Sequence, residues 1–238
     1  MRKKKTFLDN LIHYGRDNLS EESKASEYLY SRNVSEDQIE EFNIGYIPPK
    51  HDFSVKGDSF DGERFVNWSK DGKYLEDKLL FPVEDPLGNV VGIHIRTPDS
   101  EKKDYMKFYL NSSKASARFF GIGSAMPTIW KSGEIHLCEG LFDLFPLKDL
   151  FPNTVCTLTA KITNQQLSFL ERFVSEIYIA FDQDEQGNRF FRKFKRKHKE
   201  DFFRIKKLEF KGEDISKCRE MMDKSRFEEL ICKQKPSI

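Results

Sequence analysis

Carboxylates in this chain gather in two short motifs. The first is Glu139-Gly140-Leu141-Phe142-Asp143 and the second is Asp182-Gln183-Asp184-Glu185-Gln186-Gly187; a further acid, Asp214, follows a Lys-Gly-Glu run. Each motif comes directly after an apolar run, EIHLC before Glu139 and EIYIAF before Asp182. Such runs read as buried strands, and ligands of parallel sheets gather at the carboxyl ends of strands. If the two strands are neighbours, Glu139, Asp182 and Asp184 converge on one edge. Asp143, one helical turn beyond Glu139, can face the same spot. Each pair of carboxylates at ~4 Å repels by about 4 kcal/mol at an effective dielectric of ~20, so the group needs a proton or a cation. An oxygen-only donor set favours Mg²⁺ or Mn²⁺ over zinc. Two such ions can align an attacking hydroxyl with a triphosphate leaving group. Single acids at strand ends also arise without any ligand, because strand ends meet solvent and helix N-termini favour negative charge. It is the combination E-G-x-x-D and D-x-D-x-x-G that points to a cation site.

The elements that must position these acids are legible around them. From residue 134 onward strands alternate with helices: EIHLC, a helix over 141–150 kinked or split by Pro146, TVCTLT, a helix over 163–173 with Thr163 as N-cap, EIYIAF, a helix over 186–198, FFRIKKLEF, and helix again from 213. This alternation predicts βαβ units and a mostly parallel sheet. Upstream, Ser20 and Ser35 read as caps of two short helices. KLLFPV and VVGIHIR, joined by EDPLGN, read as a hairpin that Met106–Leu110 extends. Residues 48–76 read as polar loop with short elements, and residues 1–20 as an arm or a partly ordered helix. The basic run 189–199, RFFRKFKRKHK, places cations on a helix whose Phe190, Phe191 and Phe194 form the buried stripe. That face is either a solvated exterior or a phosphate-binding surface.

Composition bounds the rest. A chain of 238 residues with a net charge of +1 can bury a core without disulfides. Its four cysteines, Cys138, Cys156, Cys218 and Cys232, show no zinc spacing. A reduced, cytoplasmic setting is the default. No leader and no membrane span are expected.

The paired acidic motifs resemble the Toprim domain of primases, topoisomerases, OLD-type nucleases and recombination mediators. The upstream phrases choose among these. YLYSRNVSEDQIEEFNIGYIP, KLLFPVEDPLGNVVGIHIR, KFYLNS and RFFGI are similar, in the same order, to the DnaG-type primase core. The resemblance implies an α/β fold in which a mixed α+β primase subdomain (21–130) precedes a Rossmann-like Toprim subdomain (131–220), with an arm (1–20) and a C-terminal helix and tail (221–238). It implies a cleft for single-stranded template and synthesis of short RNA primers from nucleoside triphosphates. Glu139, Asp143, Asp182, Asp184 and Asp214 match the family's metal-binding acids, with Mg²⁺ or Mn²⁺ and no zinc as cofactor; Glu139, Asp182 and Asp184 are the catalytic candidates. Lys78, Arg96, Lys107 and Asn111 match residues that handle template and nucleotide, and Arg189 and Arg192 of the basic run join them as candidate phosphate contacts.

Four departures stand out. Lys78 replaces the usual arginine, Phe108 is an extra residue beside Lys107, Gln183 replaces a glycine between the aspartates, and Ser216 stands where a further aspartate is usual. Gln183 is expected to crowd the cation edge. No zinc ribbon falls within these residues, which implies that a replicative helicase or a separate zinc-binding subunit helps choose start sites. The small size suggests a phage or mobile-element replication protein. Two other functions suit the same motifs: a Toprim-type nuclease and a non-catalytic single-strand-binding module of a replisome.

Overall fold

The computed structural model describes residues 7–50, 60–99, 101, 104–110, 118–159, 161–198, 203–212 and 214–233. The chain divides into two units, the first holding residues 1–84 and 89–115 and the second residues 85–88 and 116–238.

Unit 1 is built on an antiparallel sheet in the order β1-β2-β3-β4, with β1 Gly45–Ile47, β2 Lys78–Glu84, β3 Val90–Arg96 and β4 Tyr105–Tyr109. The hairpin expected from the Pro-Leu-Gly-Asn turn is β2–β3. The stretch read as an arm or a partly ordered helix carries helix α1 (Phe7–Asp17). Leu8 and Leu11 of α1 are fully buried and, with Ile12, join Leu80, Ile93, Ile95 and Phe108 in one core. The i, i+3, i+4 spacing of those three residues is an apolar helical stripe. Helices α2 (Lys24–Ser31) and α3 (Glu36–Glu41) follow. Ser35 caps α3 in a reciprocal capping box with Gln38, as expected. The cap of α2 is Ser23 rather than Ser20, whose carbonyl instead accepts from the Ser26 hydroxyl. Within the segment read as polar loop lies a full helix, α4 (Phe60–Ser69), held by Phe65 and Trp68 against Phe108 at 5.0 and 5.4 Å between ring centroids.

Phe108 makes no bulge in β4. Gly92↔Tyr109, Ile93↔Phe108 and His94↔Lys107 pair without a register shift, and Phe108 fills the aromatic core. Strand alternation then sends Lys107 to the opposite face.

Unit 2 carries a parallel sheet in the order β6-β5-β7-β8. Its strands are β5 Glu134–Cys138, β6 Thr154–Cys156, β7 Glu176–Ala180 and β8 Arg204–Lys207. Helix α5 (Ile122–Ser132) precedes β5, α6 (Leu144–Lys148), α7 (Asn164–Phe173) and α8 (Glu185–Lys197) connect the strands, and α9 (Ile215–Glu220) and α10 (Lys224–Cys232) follow β8. Pro146 is the third residue of α6, in the first turn, where the missing N–H would have no helical partner anyway. The helix is therefore short and starts late instead of kinking. Helix α5 packs into the core of unit 2 through Ile122, Ala125 and Ile129.

His136, in mid-β5, is fully buried between the rings of Phe151 and Tyr178, at 4.0 and 4.6 Å and nearly parallel to both. It is a packing residue anchored by Asn153 at 3.0 Å. No described helix is long and apolar enough to cross a membrane.

Candidate active site

β5 and β7 are neighbours, and their last paired residues are Cys138 and Ala180. Glu139 leaves β5 at once, and Asp182 leaves β7 one residue after the buried Phe181. The adjacent strand ends therefore place both acids at the same edge of the sheet, where such folds bind ligands.

The local backbone aims them further. Cys156 Sγ donates to the Glu139 carbonyl at 3.0 Å, which ties the end of β5 to β6. Asp184 is the N-cap of α8, its Oδ1 accepting from Gly187 N at 2.7 Å. Gly187 cannot be larger, because a Cβ there would lie 2.1 Å from the Asp182 carbonyl oxygen. Asp214 is likewise the N-cap of α9, accepting from Lys217 N at 2.7 Å.

Asp143 is a junction. It is 5% exposed, and its two carboxylate oxygens accept from Gly140 N at 3.0 Å and from Ser216 N at 3.1 Å. One carboxylate thus joins the loop after β5 to the start of α9, across 73 residues of sequence. Gly140 leaves room for it, since a Cβ there would lie 2.4 Å from Asp143 Oδ2. The Ser216 hydroxyl, 1% exposed, has no hydrogen-bond partner among the described residues.

The electrostatics follow from this crowding. Burial pushes the Glu139 carboxyl up to about 7, with Asp182 and Asp184 adding to it. Burial, then Asp214, pushes Asp143 up to about 7, partly offset by its backbone donors. Burial, then Asp214 and Asp184, pushes Asp182 up to about 6. Each of the five acids therefore acts on at least one other.

Among the described residues no three His, Cys, Asp or Glu side chains enclose a point where an ion would be held. The donor chemistry nonetheless fits a hard divalent cation. The set is carboxylate oxygen throughout, and the charge it accumulates is what a cation would neutralise.

A pH dependence follows. Unfolded carboxylates release their protons near pH ~4, whereas these three hold theirs to about 6 or 7. Between those values the folded state binds more protons than the unfolded chain, so stability without cation falls as pH rises through that window. A bound cation would take over the role of the protons. Mg²⁺ is expected to raise Tm more at pH 8 than at pH 5, as read by calorimetry against EDTA controls. An equal increment at both pH values would contradict the cation site.

In unit 1, Arg96 and Lys107 share one face of the sheet with His94, Tyr105 and Tyr109. Arg96 Nε donates to the Tyr28 hydroxyl at 3.0 Å. His94, opposite Lys107, lies 3.0 Å from the Tyr109 hydroxyl, and burial, then the Lys107 charge, lowers its pKa to about 3. Lys78 opens β2 on the other face, 3.8 Å from Asp104. The three cations are therefore not one cluster. Asn111 lies outside the described residues. In unit 2, Arg189 and Arg192 are exposed on α8, Arg189 beside Glu185 at 2.7 Å.

Gln183 does not crowd the acids. Its side chain turns to β8, where Lys207 Nζ donates to its Oε1 at 2.8 Å. Lys207 and Asn188, the partners of this turn, carried no signal as functional residues in the sequence.

Comparison with known proteins agrees with this architecture. Residues 13–121 match the model of the DNA primase catalytic core, N-terminal domain, and residues 136–218 match a Toprim-like model. The chain is 27% identical over 209 residues to the DNA primase of Aquifex aeolicus, covering 76% of this chain and 39% of that protein. It is 30% identical over 183 residues to the DNA primase of Enterococcus faecalis, covering 68% of this chain and 29% of that protein. It thus spans well under half of these curated relatives. Among solved structures, the DnaG catalytic core matches with a TM-score of 0.77 at 18% identity, covering 95% of this chain and 78% of that one. A DnaG catalytic domain bound to single-stranded DNA matches with a TM-score of 0.78 at 19% identity, covering 95% and 77%. With the primase N-terminal domain in unit 1, a Toprim-like domain in unit 2 and the shared fold across nearly its whole length, the chain belongs to the DnaG-type primase catalytic-core family.

Proposed function

We propose that this chain is a primase catalytic core that joins nucleoside triphosphates into short RNA primers on single-stranded DNA. The observation that carries the proposal is the set of five interacting carboxylates at the edge of a Toprim sheet, in a chain that also carries the primase N-terminal domain. A divalent cation, Mg²⁺ or Mn²⁺, held there by Glu139, Asp182 and Asp184 with Asp214 and Asp143 behind them, would supply charge neutralisation at the reacting phosphate. The ribose 3′-oxygen forms a bond to the α-phosphorus of the incoming triphosphate, the bond from that phosphorus to the bridging oxygen breaks, and pyrophosphate leaves. The hydroxyl proton passes to a base, for which Glu139 at the strand end is the candidate. Arg96 and Lys107, with Lys78 from the other face and Asn111, are the candidate template and nucleotide contacts. No zinc spacing occurs within these residues, so a zinc-binding subunit or a helicase is the proposed source of start-site choice.

Helix α8 supplies a second contact of the same class. Arg189, Arg192, Lys193 and Arg196 are all exposed and fall on the helical face opposite the buried Gly187 and Phe194. They form a ridge about 10 Å long at 1.5 Å per residue. Single-strand binding is expected to lose about 0.7 from the slope of log affinity against log salt per phosphate contact removed. Anisotropy of a labelled oligonucleotide with Arg189→Ala/Arg192→Ala protein measures this. An unchanged slope would remove α8 from the binding surface.

One reaction separates the functions open to this fold. Single-stranded DNA of mixed sequence, end-labelled, is incubated with labelled nucleoside triphosphates and Mg²⁺ or Mn²⁺. New labelled RNA with intact template supports the proposal. Shortened template without RNA replaces it with a nuclease, and bound but unchanged template with a binding module.

A further inference from the structure

The loop between Asp182 and Asp184 is held by a closed polar circuit. Lys207, the last residue of β8, donates from Nζ to Gln183 Oε1 at 2.8 Å and to Asn188 Oδ1 at 2.7 Å. Each amide then donates from its nitrogen to backbone. Gln183 Nε2 reaches the carbonyls of Phe181 at 3.2 Å and Leu208 at 3.4 Å. Asn188 Nδ2 reaches the carbonyls of Gln183 at 3.1 Å and Asp184 at 2.8 Å.

Three carbonyls of the Phe181–Asp184 segment are thus fixed by two side chains, and both side chains are oriented by one ammonium. An amide has one acceptor end and one donor end. A cation at the acceptor ends leaves only the donor ends to face the loop, so Lys207 sets the direction of both amides. Hydrogen bonds to a charged group are about twice as strong as neutral ones. Gly187 braces the same loop from α8, pressed against the Asp182 carbonyl.

A glycine at 183 would leave this segment with more backbone freedom than any other residue. We propose that Lys207, Gln183 and Asn188 are positioning residues that hold the Asp182–Asp184 loop in the shape that receives a divalent cation. Gln183 is then part of the frame of the site. This rests on the assignment of Asp182 and Asp184 as cation-binding groups. Preorganisation of this kind lowers the ordering cost of binding, because the loop is fixed before the ligand arrives.

The test uses the full chain and two readouts. The first is amide hydrogen exchange over 182–188 in EDTA, which needs neither cation nor activity. The second is direct Mn²⁺ titration followed by electron paramagnetic resonance. Lys207→Met keeps much of the side-chain length and removes the ammonium. It is expected to raise exchange over 182–188 about tenfold, without a matching rise in α7, and to weaken Mn²⁺ binding about tenfold. Lys207→Arg is expected to recover most of both, and Gln183→Gly to show the same two changes as Lys207→Met with no substitution in β8. A merely structural role would lower Tm and leave Mn²⁺ affinity and its rescue by arginine unmoved. Wild-type exchange and wild-type Mn²⁺ binding in both Lys207→Met and Gln183→Gly would overturn the proposal. Asp182→Asn, titrated in parallel, separates the two levels. If it binds Mn²⁺ like wild type, the cation assignment has failed, while the exchange data still decide whether the circuit holds the loop.

Discussion

Asp182→Asn is expected to lower primer synthesis at least about a hundredfold, the loss typical of removing one group that stabilises charge at a reacting phosphate. The same variant is expected to be more stable than wild type in EDTA. The Asp182 carboxyl is raised to about 6 by burial and then by Asp214 and Asp184, and Asp182 in turn helps raise Glu139. A neutral amide removes that repulsion. A gain of ~1 kcal/mol corresponds to about 2–4 °C in Tm for a chain of this size. Activity lost while cation-free stability rises is the signature of a site whose charges serve the reaction at a cost to the fold. A variant that is both inactive and less stable in EDTA would show instead that Asp182 holds the loop together. Primer synthesis and calorimetry on one preparation give both numbers.

Asp143→Ala is expected to have the largest effect on stability. Asp143 is almost fully buried, and both oxygens receive backbone N–H groups, from Gly140 and from Ser216. Alanine removes the acceptor of the buried Ser216 N–H and of the half-buried Gly140 N–H. An unsatisfied buried donor costs about 1–3 kcal/mol and a half-exposed one less, so urea unfolding should lose about 1–5 kcal/mol. Asp143→Asn keeps one acceptor oxygen and is expected to lose about half as much. The bond to Ser216 also ties the loop that carries Glu139 to the helix capped by Asp214, so synthesis should fall with stability. Each carboxylate oxygen has a second lone pair, which leaves Asp143 able to meet a cation as well as the two amides. Gly140→Ala offers an internal check. Its Cβ would collide with Asp143 Oδ2, so the two substitutions should be strongly non-additive. An Asp143→Ala cost below about 1 kcal/mol would contradict the junction.

How much of this was legible before the structure depends on what kind of physics wrote it. The parallel sheet and its acids were legible because β5 and β7 are short apolar runs that end directly in carboxylates, and side-chain burial on both faces of a strand leaves that pattern. Thr163 and Ser35 were legible as caps because their partners, Gln166 and Gln38, lie three residues away. Helices α4 and α5 were not, and α1 was legible only as the alternative to an arm. The apolar stripe of α1 is brief and set among basic and polar residues. Helix α4 alternates acids with the aromatics that bury it. Helix α5 carries Pro127 in its interior and left-handed glycines at both ends, signals that ordinarily mark loops.

The wiring around the acids was invisible for a different reason. The contacts of Asp143 with Ser216 and of Lys207 with Gln183 span 73 and 24 residues, and no local pattern encodes such pairings. Gln183 looked like an obstruction only because the direction of its side chain is set by a lysine on the neighbouring strand.

The claim on which the rest depends is that the carboxylate edge of unit 2 binds a divalent cation. Mn²⁺ titration of the wild-type chain and of Asp182→Asn, read by the loss of the free-ion paramagnetic signal, tests it without any assumption about substrate. The account predicts saturable binding by the wild type and binding at least about tenfold weaker in the variant, in line with the typical cost of disturbing a metal site. Equal binding by the two proteins, or none by the wild type, would contradict it.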